Sequence, residues 1–235
     1  GVWRKHIALV GRLSLVAPIE VVMKFRSSLT GLALVFAVAL AGSCAKSQAS
    51  QREWIAEGAI PSRYEISIDP NDAASTFAGE EIITVQNQQP LTNVVLNAAD
   101  LTITQVTIDT APATVKVDAQ AQRLTLTPAQ PLQAGTHHIH IVYSGKIYDG
   151  AYGLFRTKYN VNGHEQHMLI TQFEPSDARR LAPMWDQPNR RAVFALTVTA
   201  PQGQHAISNM PAASTEQLAD GRTRTHFADT PPMAS

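Results

Sequence analysis

From Arg63 onward the apolar and polar positions alternate with a period of two. Tyr64, Ile66 and Ile68 interleave with Glu65, Ser67 and Asp69, the pattern of a strand with one buried face. The same β-branched character marks residues 81–86, 93–96, 101–108, 113–117, 123–127, 137–143 and 192–198. Turn formers separate these runs: Asp69-Pro70-Asn71, Gln89-Pro90, Ala111-Pro112, Pro128 and Ala134-Gly135. Asn162-Gly163 and Asp220-Gly221 readily take positive φ and predict two hairpins, 154–160 with 165–171 and 214–218 with 222–227. No long run of helical period follows residue 50; one short turn over 176–181 is expected, with Ser176 or Asp177 as its cap. Short strands at this spacing predict an all-β fold, a β-sandwich or large curved sheet.

Composition adds little to that class but narrows the function. The 235 residues are 44% hydrophobic and 16% charged, with 19 basic and 19 acidic side chains. Such neutrality argues against nucleic acid as a partner and against a polybasic membrane-surface role. A single cysteine, Cys44, leaves no internal disulfide framework.

The N-terminal region reads differently. Residues 1–22, which begin with Gly, are taken as upstream sequence outside the mature protein. Met23-Lys24-Phe25-Arg26 is a short basic segment, an uncharged apolar run covers 29–41, and small residues follow at Ala41-Gly42-Ser43-Cys44. That is the tripartite layout of an export signal over 23–44, with an apolar run too short to span a bilayer. Two processing readings stand. Ala39-Leu40-Ala41 suits small-residue cleavage, whereas Leu40 to Cys44 resembles a lipoprotein box with one extra residue, which would lipidate Cys44 and make it a membrane anchor. Either reading places the protein outside the cytoplasm, in the periplasm or cell envelope. Residues 45–57 form a Ser/Ala/Gln-bearing linker, and 58–235 form one β domain.

Few constellations suggest chemistry. His164-Glu165-Gln166-His167 has its histidines three apart after a turn, whereas a zinc-binding helix needs them four apart; exposed hairpin residues are expected. His138 and His140 share a strand face with no companion ligand, opposite a core side of Ile139, Ile141 and Tyr143. Glu80 and Glu81 are read together as exposed strand charge. Gln172 and Glu174 are different. Met168, Ile170, Gln172 and Glu174 fall on one side of a strand that passes from apolar to polar, as if leaving the core for a cleft or partner surface, and Pro175 then ends the ladder. A carboxylate there can accept hydrogen bonds from an ammonium group, and the amide can donate and accept. The alternatives are that the pair caps its own turn or binds Arg179 or Arg180.

The segment Thr171-Gln-Phe-Glu-Pro-Ser-Asp-Ala-Arg-Arg-Leu-Ala-Pro-Met-Trp-Asp-Gln-Pro188 resembles the signature of the aminopeptidase N family of zinc metallopeptidases. The likeness runs from about residue 58 to 235, through Gly153-Leu154-Phe155-Arg156 before the signature and Ile207-Ser208-Asn209-Met210-Pro211 after it. Met184 and Gln187 are mild departures. The resemblance implies a saddle-like β domain that packs over a thermolysin-like catalytic domain in the same polypeptide. It also implies that Glu174 binds the free α-amino group of a peptide substrate while Gln172 lines the pocket of the first side chain. Asp177, Arg179 and Arg180 are expected to form an ion-paired turn, Trp185 a core or interface anchor and Asp186 a turn cap. The family's zinc motif falls beyond the segment that Pro231-Pro232-Met233 matches, so zinc is expected in the complete enzyme and not on this chain, which alone is expected to be inactive. The rival readings are a non-catalytic β-sandwich binding or interaction module and an envelope lipoprotein of structural role.

Overall fold

The alternation read from the sequence becomes twelve strands in a computed structural model, which describes residues 54–55 and 58–235. In chain order they are β1 (Ile60–Asn71), β2 (Thr76–Asn87), β3 (Val94–Asn97), β4 (Thr102–Ile108), β5 (Ala111–Asp118), β6 (Arg123–Pro128), β7 (Gly135–Lys146), β8 (Gly153–Val161), β9 (His164–Gln172), β10 (Val193–Ala200), β11 (Ala212–Gln217) and β12 (Thr223–Phe227). The upstream segment 1–22, the export signal 23–44 with Cys44, and most of the 45–57 linker lie outside the described residues.

Ten strands form one mixed sheet in the order β11-β12-β10-β1-β2-β7-β4-β5-β6-β3, and β8 and β9 form a separate two-stranded ribbon. The fold is all-β. Nine of the strand pairs are antiparallel; β1 and β10 pair in parallel, Tyr64 opposite Phe194 with the two rings stacked at 4.9 Å. β4 meets β5 at only two register pairs, Thr107 with Pro112 and Ile108 with Ala111. Val94 and Leu96 of β3 and Leu124 and Leu126 of β6 share one fully buried cluster with Ile83, Val85, Ile139 and Ile141 of β2 and β7.

Cross-strand shape at the β2–β7 pair explains two glycines. Phe77 lies opposite Gly145, and Tyr143 lies opposite Gly79. A Cβ on Gly79 would fall 2.3 Å from the Tyr143 ring, and one on Gly145 2.3 Å from the Phe77 ring. Each ring lies over the glycine of the neighbouring strand, and the two rings meet edge to face at 6.4 Å. Glu81, on the same side of β2 as Phe77, Gly79, Ile83 and Val85, is completely buried. The expectation of an exposed Glu80–Glu81 pair therefore fails for Glu81 and holds for Glu80, because neighbouring residues on a strand face opposite ways.

Candidate functional site

The ribbon and the segment that follows it are anchored by isolated backbone bonds and by side chains rather than by a shared sheet. Tyr148 N–H donates to the Leu154 carbonyl at 2.9 Å and Arg156 N–H to the Tyr148 carbonyl at 2.7 Å. Arg156 then ties β8 to the β1–β2 turn: its Nε donates to Asp72 Oδ1 at 2.7 Å, and Nη2 to the Asp72 carbonyl and to Ser75 Oγ.

Register sorts the ribbon into two faces. Arg156, Lys158 and Asn160 share one face with Glu165, His167 and Leu169; Phe155, Thr157, Tyr159 and Val161 share the other with His164, Met168, Ile170 and Gln172. Leu169 and Phe173 pack against the core. Met168 and Ile170 remain 43% and 38% exposed, beside Tyr159 at 41% and Val161 at 46%. The expectation that Met168 and Ile170 occupy a core face is thus reversed. The alternation is real, but the body of the domain lies on the other side of the strand. His164 and His167 fall on opposite faces of the ribbon, so they cannot close on one metal. His138 and His140 do share a face, but His138 meets Thr84 Oγ1 and His140 meets Glu80. Among the described residues no group of three His, Cys, Asp or Glu side chains is arranged to hold a metal.

Gln172 ends β9 opposite Gly153, and Glu174 stands two residues on in a tight turn, joined to Pro175 by a cis peptide bond. Asp177 N–H donates to the Phe173 carbonyl at 2.7 Å and closes this turn. A single 3-10 turn, Ala178–Arg180, follows. Neither Ser176 nor Asp177 caps it through a side chain as expected. The Asp177 carboxylate instead accepts Arg180 Nε at 2.8 Å.

The ion-paired turn expected at Asp177, Arg179 and Arg180 is present and reaches further than the signature. Arg180 Nη1 also donates to Asp100 and to the Tyr148 hydroxyl, and its guanidinium lies 5.7 and 5.5 Å from the ring centroids of Tyr148 and Tyr152. Burial first, and then the Asp100 carboxylate, push the Tyr148 phenol up to about 12, while the Arg180 charge works against them. Arg179 Nε donates to Asp186 Oδ2 at 2.8 Å and Nη1 to Gln122 Oε1 at 3.2 Å. Asp186 is thus a salt-bridge partner, not a turn cap. Trp185 is buried as expected, and its N–H donates to the Tyr64 hydroxyl at 3.1 Å. Asn97 exchanges backbone hydrogen bonds with Met184 at 2.7 and 3.0 Å and accepts Asp186 N–H on its side chain. Asp100, Asn97, Tyr148 and Gln122 carry no local signal of these roles; only the two arginines, which need carboxylates somewhere, hint at partners.

Both arginines nearest Glu174 are thereby committed elsewhere. Gln172 and Glu174 are exposed, and among the described residues no hydrogen bond or ion pair reaches either side chain. A carboxylate and an amide stand free at the end of an apolar face, on a turn pinned on both sides by charged clusters.

The described residues thus form an all-β domain that carries this turn beside a two-stranded ribbon. The chain belongs to the Peptidase M1 N-terminal domain family, whose model matches residues 60–235. It is 36% identical over 180 residues to aminopeptidase M1-D of Oryza sativa subsp. japonica, covering 75% of this chain and 20% of that protein. It is 35% identical over 178 residues to aminopeptidase N of Acetobacter pasteurianus, covering 75% of this chain and 50% of that protein. Aminopeptidase M1 of Arabidopsis thaliana is 34% identical over 162 residues, 65% of this chain and 18% of its own length. The chain therefore spans between 18% and 50% of the length of these relatives.

Proposed function

We propose that this chain is the substrate-amine-recognition domain of an exported aminopeptidase, with Glu174 binding the free α-amino group of a peptide and Gln172 lining the pocket for the first side chain. The observation that carries this reading is the unpaired state of Glu174. Arg179 is held by Asp186 and Gln122, and Arg180 by Asp177 and Asp100. The carboxylate therefore keeps its full capacity for an ammonium group arriving from outside.

The chemistry assigned to this chain is binding and orientation. A carboxylate fixed on a pinned turn holds the amine at one end of the substrate and so sets which peptide bond reaches the catalytic groups. The exposed apolar side of the ribbon runs into Gln172 and supplies the surface that the catalytic domain would cover, which would also remove water from around Glu174. The peptidases of this family are zinc enzymes, and none of the described residues is assigned to that metal.

In the full-length protein, Glu174→Ala is expected to lower kcat/KM on an aminoacyl anilide by at least about a hundredfold, roughly 2.7 kcal/mol of transition-state binding. A loss of only a few-fold would remove Glu174 from the amine site. Reading the coding sequence past Ser235 tests the enzyme itself, since a His-Glu-x-x-His helix with a later Glu is expected there. The apolar ribbon face equally suits a non-catalytic interaction module, and that reading prevails if no such motif follows. Export and lipidation at Cys44 form a separate part of the proposal; labelled-lipid incorporation that survives Cys44→Ser would exclude the anchor.

A further inference from the structure

Glu81 lies in the middle of β2, between Ile66 of β1 and Ile141 of β7. Its exposure is 0%, and neither carboxyl oxygen has a hydrogen-bond partner. Across this face of the sheet its other neighbours in register are Leu196 on β10, beyond Ile66, and Val106 on β4, beyond Ile141. The titratable groups that share its surroundings are two phenols, Tyr64 on β1 and Tyr143 on β7, both buried and both pushed up first by burial and then by the Glu81 charge. The Tyr143 hydroxyl is also without a partner. Asp186 and Arg190 act on Tyr64, but among the described residues no cation acts on Glu81, whose only resolved influence is burial.

We propose that Glu81 is a proton-linked lock on the ten-stranded sheet: the folded core holds its carboxyl neutral, and ionising it favours opening of the sheet. An ionised carboxylate in this place would have neither a counter-ion nor a hydrogen-bond donor, and such a charge is expelled or neutralised. Burial accordingly holds the folded-state value well above the ordinary 4.5. The sign follows from proton counting. Above the ordinary carboxylate value the unfolded chain has lost its proton while the folded chain keeps it, so folding takes up one proton and stability falls as pH rises. Stability from this group is complete below the ordinary value and is lost as pH rises toward the folded one. Acid therefore tightens this domain at Glu81, the reverse of the usual salt-bridged carboxylate. Ionising Glu81 would also bear on the signature segment, because that charge would act on the Tyr64 hydroxyl, which accepts the Trp185 backbone N–H.

The test is urea unfolding of the 235-residue chain between about pH 5 and pH 8, with Glu81→Leu and Glu81→Gln beside the parent. The ratio of folding constants, Glu81→Leu over parent, is expected to rise with pH by up to roughly tenfold per unit, the slope of one proton. Glu81→Gln, which keeps the shape without the charge, is expected to give the same slope and serves alone should the leucine variant not fold. Parent and variants running parallel across this range would overturn the proposal. Infrared spectroscopy offers a direct reading: a protonated-carboxyl stretch at neutral pH that disappears in Glu81→Gln. Failure to find that band in the parent would overturn it equally.

Discussion

The Cβ that Gly153 lacks would stand 2.9 Å from the Cβ of Arg180. Gly153 also has φ of +61° and lies opposite Gln172, so one residue lets the ribbon start, lets Arg180 pass behind it and sets where β9 ends. Gly153→Ala meets both a left-handed backbone and a close approach. It is expected to destabilise the chain by about 2 kcal/mol or more, read as a lower urea midpoint. An unchanged midpoint would mean that Arg180 can move aside freely.

Arg179 and Asp186 are both largely shielded, their side chains 13% and 8% exposed. Removing one partner strands the other, so Arg179→Ala is expected to cost about 3 kcal/mol. Arg179→Lys should restore little of it, because an ammonium group cannot serve Asp186 and Gln122 together as the guanidinium does. A double-mutant cycle with Asp186→Ala measures the coupling; additive losses would show that the pair contributes nothing as a pair.

Both ring nitrogens of His137 face acceptors, Asp109 Oδ2 at 2.5 Å and the Gln133 carbonyl at 2.8 Å, an arrangement that suits the doubly protonated ring. Burial works against that charge, but the Asp109 hydrogen bond, the Gln133 carbonyl and the Asp109 charge outweigh it and raise the His137 pKa above 6.5. Asp109 is shifted the other way: burial raises it, while the His137 and His138 hydrogen bonds bring it below 3.8. The pair therefore stabilises fully between about pH 4 and pH 6.5; that is lost as pH rises through the raised histidine value, and as it falls through the lowered aspartate value. NMR titration of the His137 ring should give a midpoint above 6.5 that drops in Asp109→Asn. A midpoint at or below 6.5 in the parent would contradict this.

Because Met168 and Ile170 already stand in solvent, Met168→Ser and Ile170→Ser are expected to change the stability of this chain by less than about 0.5 kcal/mol each. In a longer protein with a catalytic domain the same changes should lower the unfolding midpoint measurably. A loss above about 1 kcal/mol in the short chain would mean that the ribbon face is already packed.

Strands such as β1, β2 and β7 are legible because a period of two survives in them, the two hairpins because of their Asn-Gly and Asp-Gly turns, and the signature because its unlike residues are contiguous. What was misread shows where local pattern stops. Glu81 has the same parity as Phe77, Ile83 and Val85, so alternation pointed to its burial; the doublet with Glu80 hid it, since adjacent charges suggest one solvated stretch. The ribbon shows the opposite difficulty. Alternation separated Met168 and Ile170 from Leu169 without saying which side the domain would occupy, because that depends on where Arg156 and Tyr148 tether β8. Of the partners of Arg180 only Asp177 is within local reach: Asp100 is 80 positions earlier and becomes a neighbour only when the β3–β4 connection closes against the signature turn.

The parallel pairing of β1 with β10 has a consequence for synthesis. β1 can pair with β2 almost as soon as both are made, yet its other edge is completed only by Val193–Ala200. Until then a growing chain carries β1 with one row of backbone donors and acceptors open, and open edges recruit other strands. A chain cut at Arg191 is therefore expected to aggregate, visible as light scattering, whereas one that includes β10 and its partner β12 closes its own edge. Escape from aggregation thus waits for strands made only after the signature turn is complete.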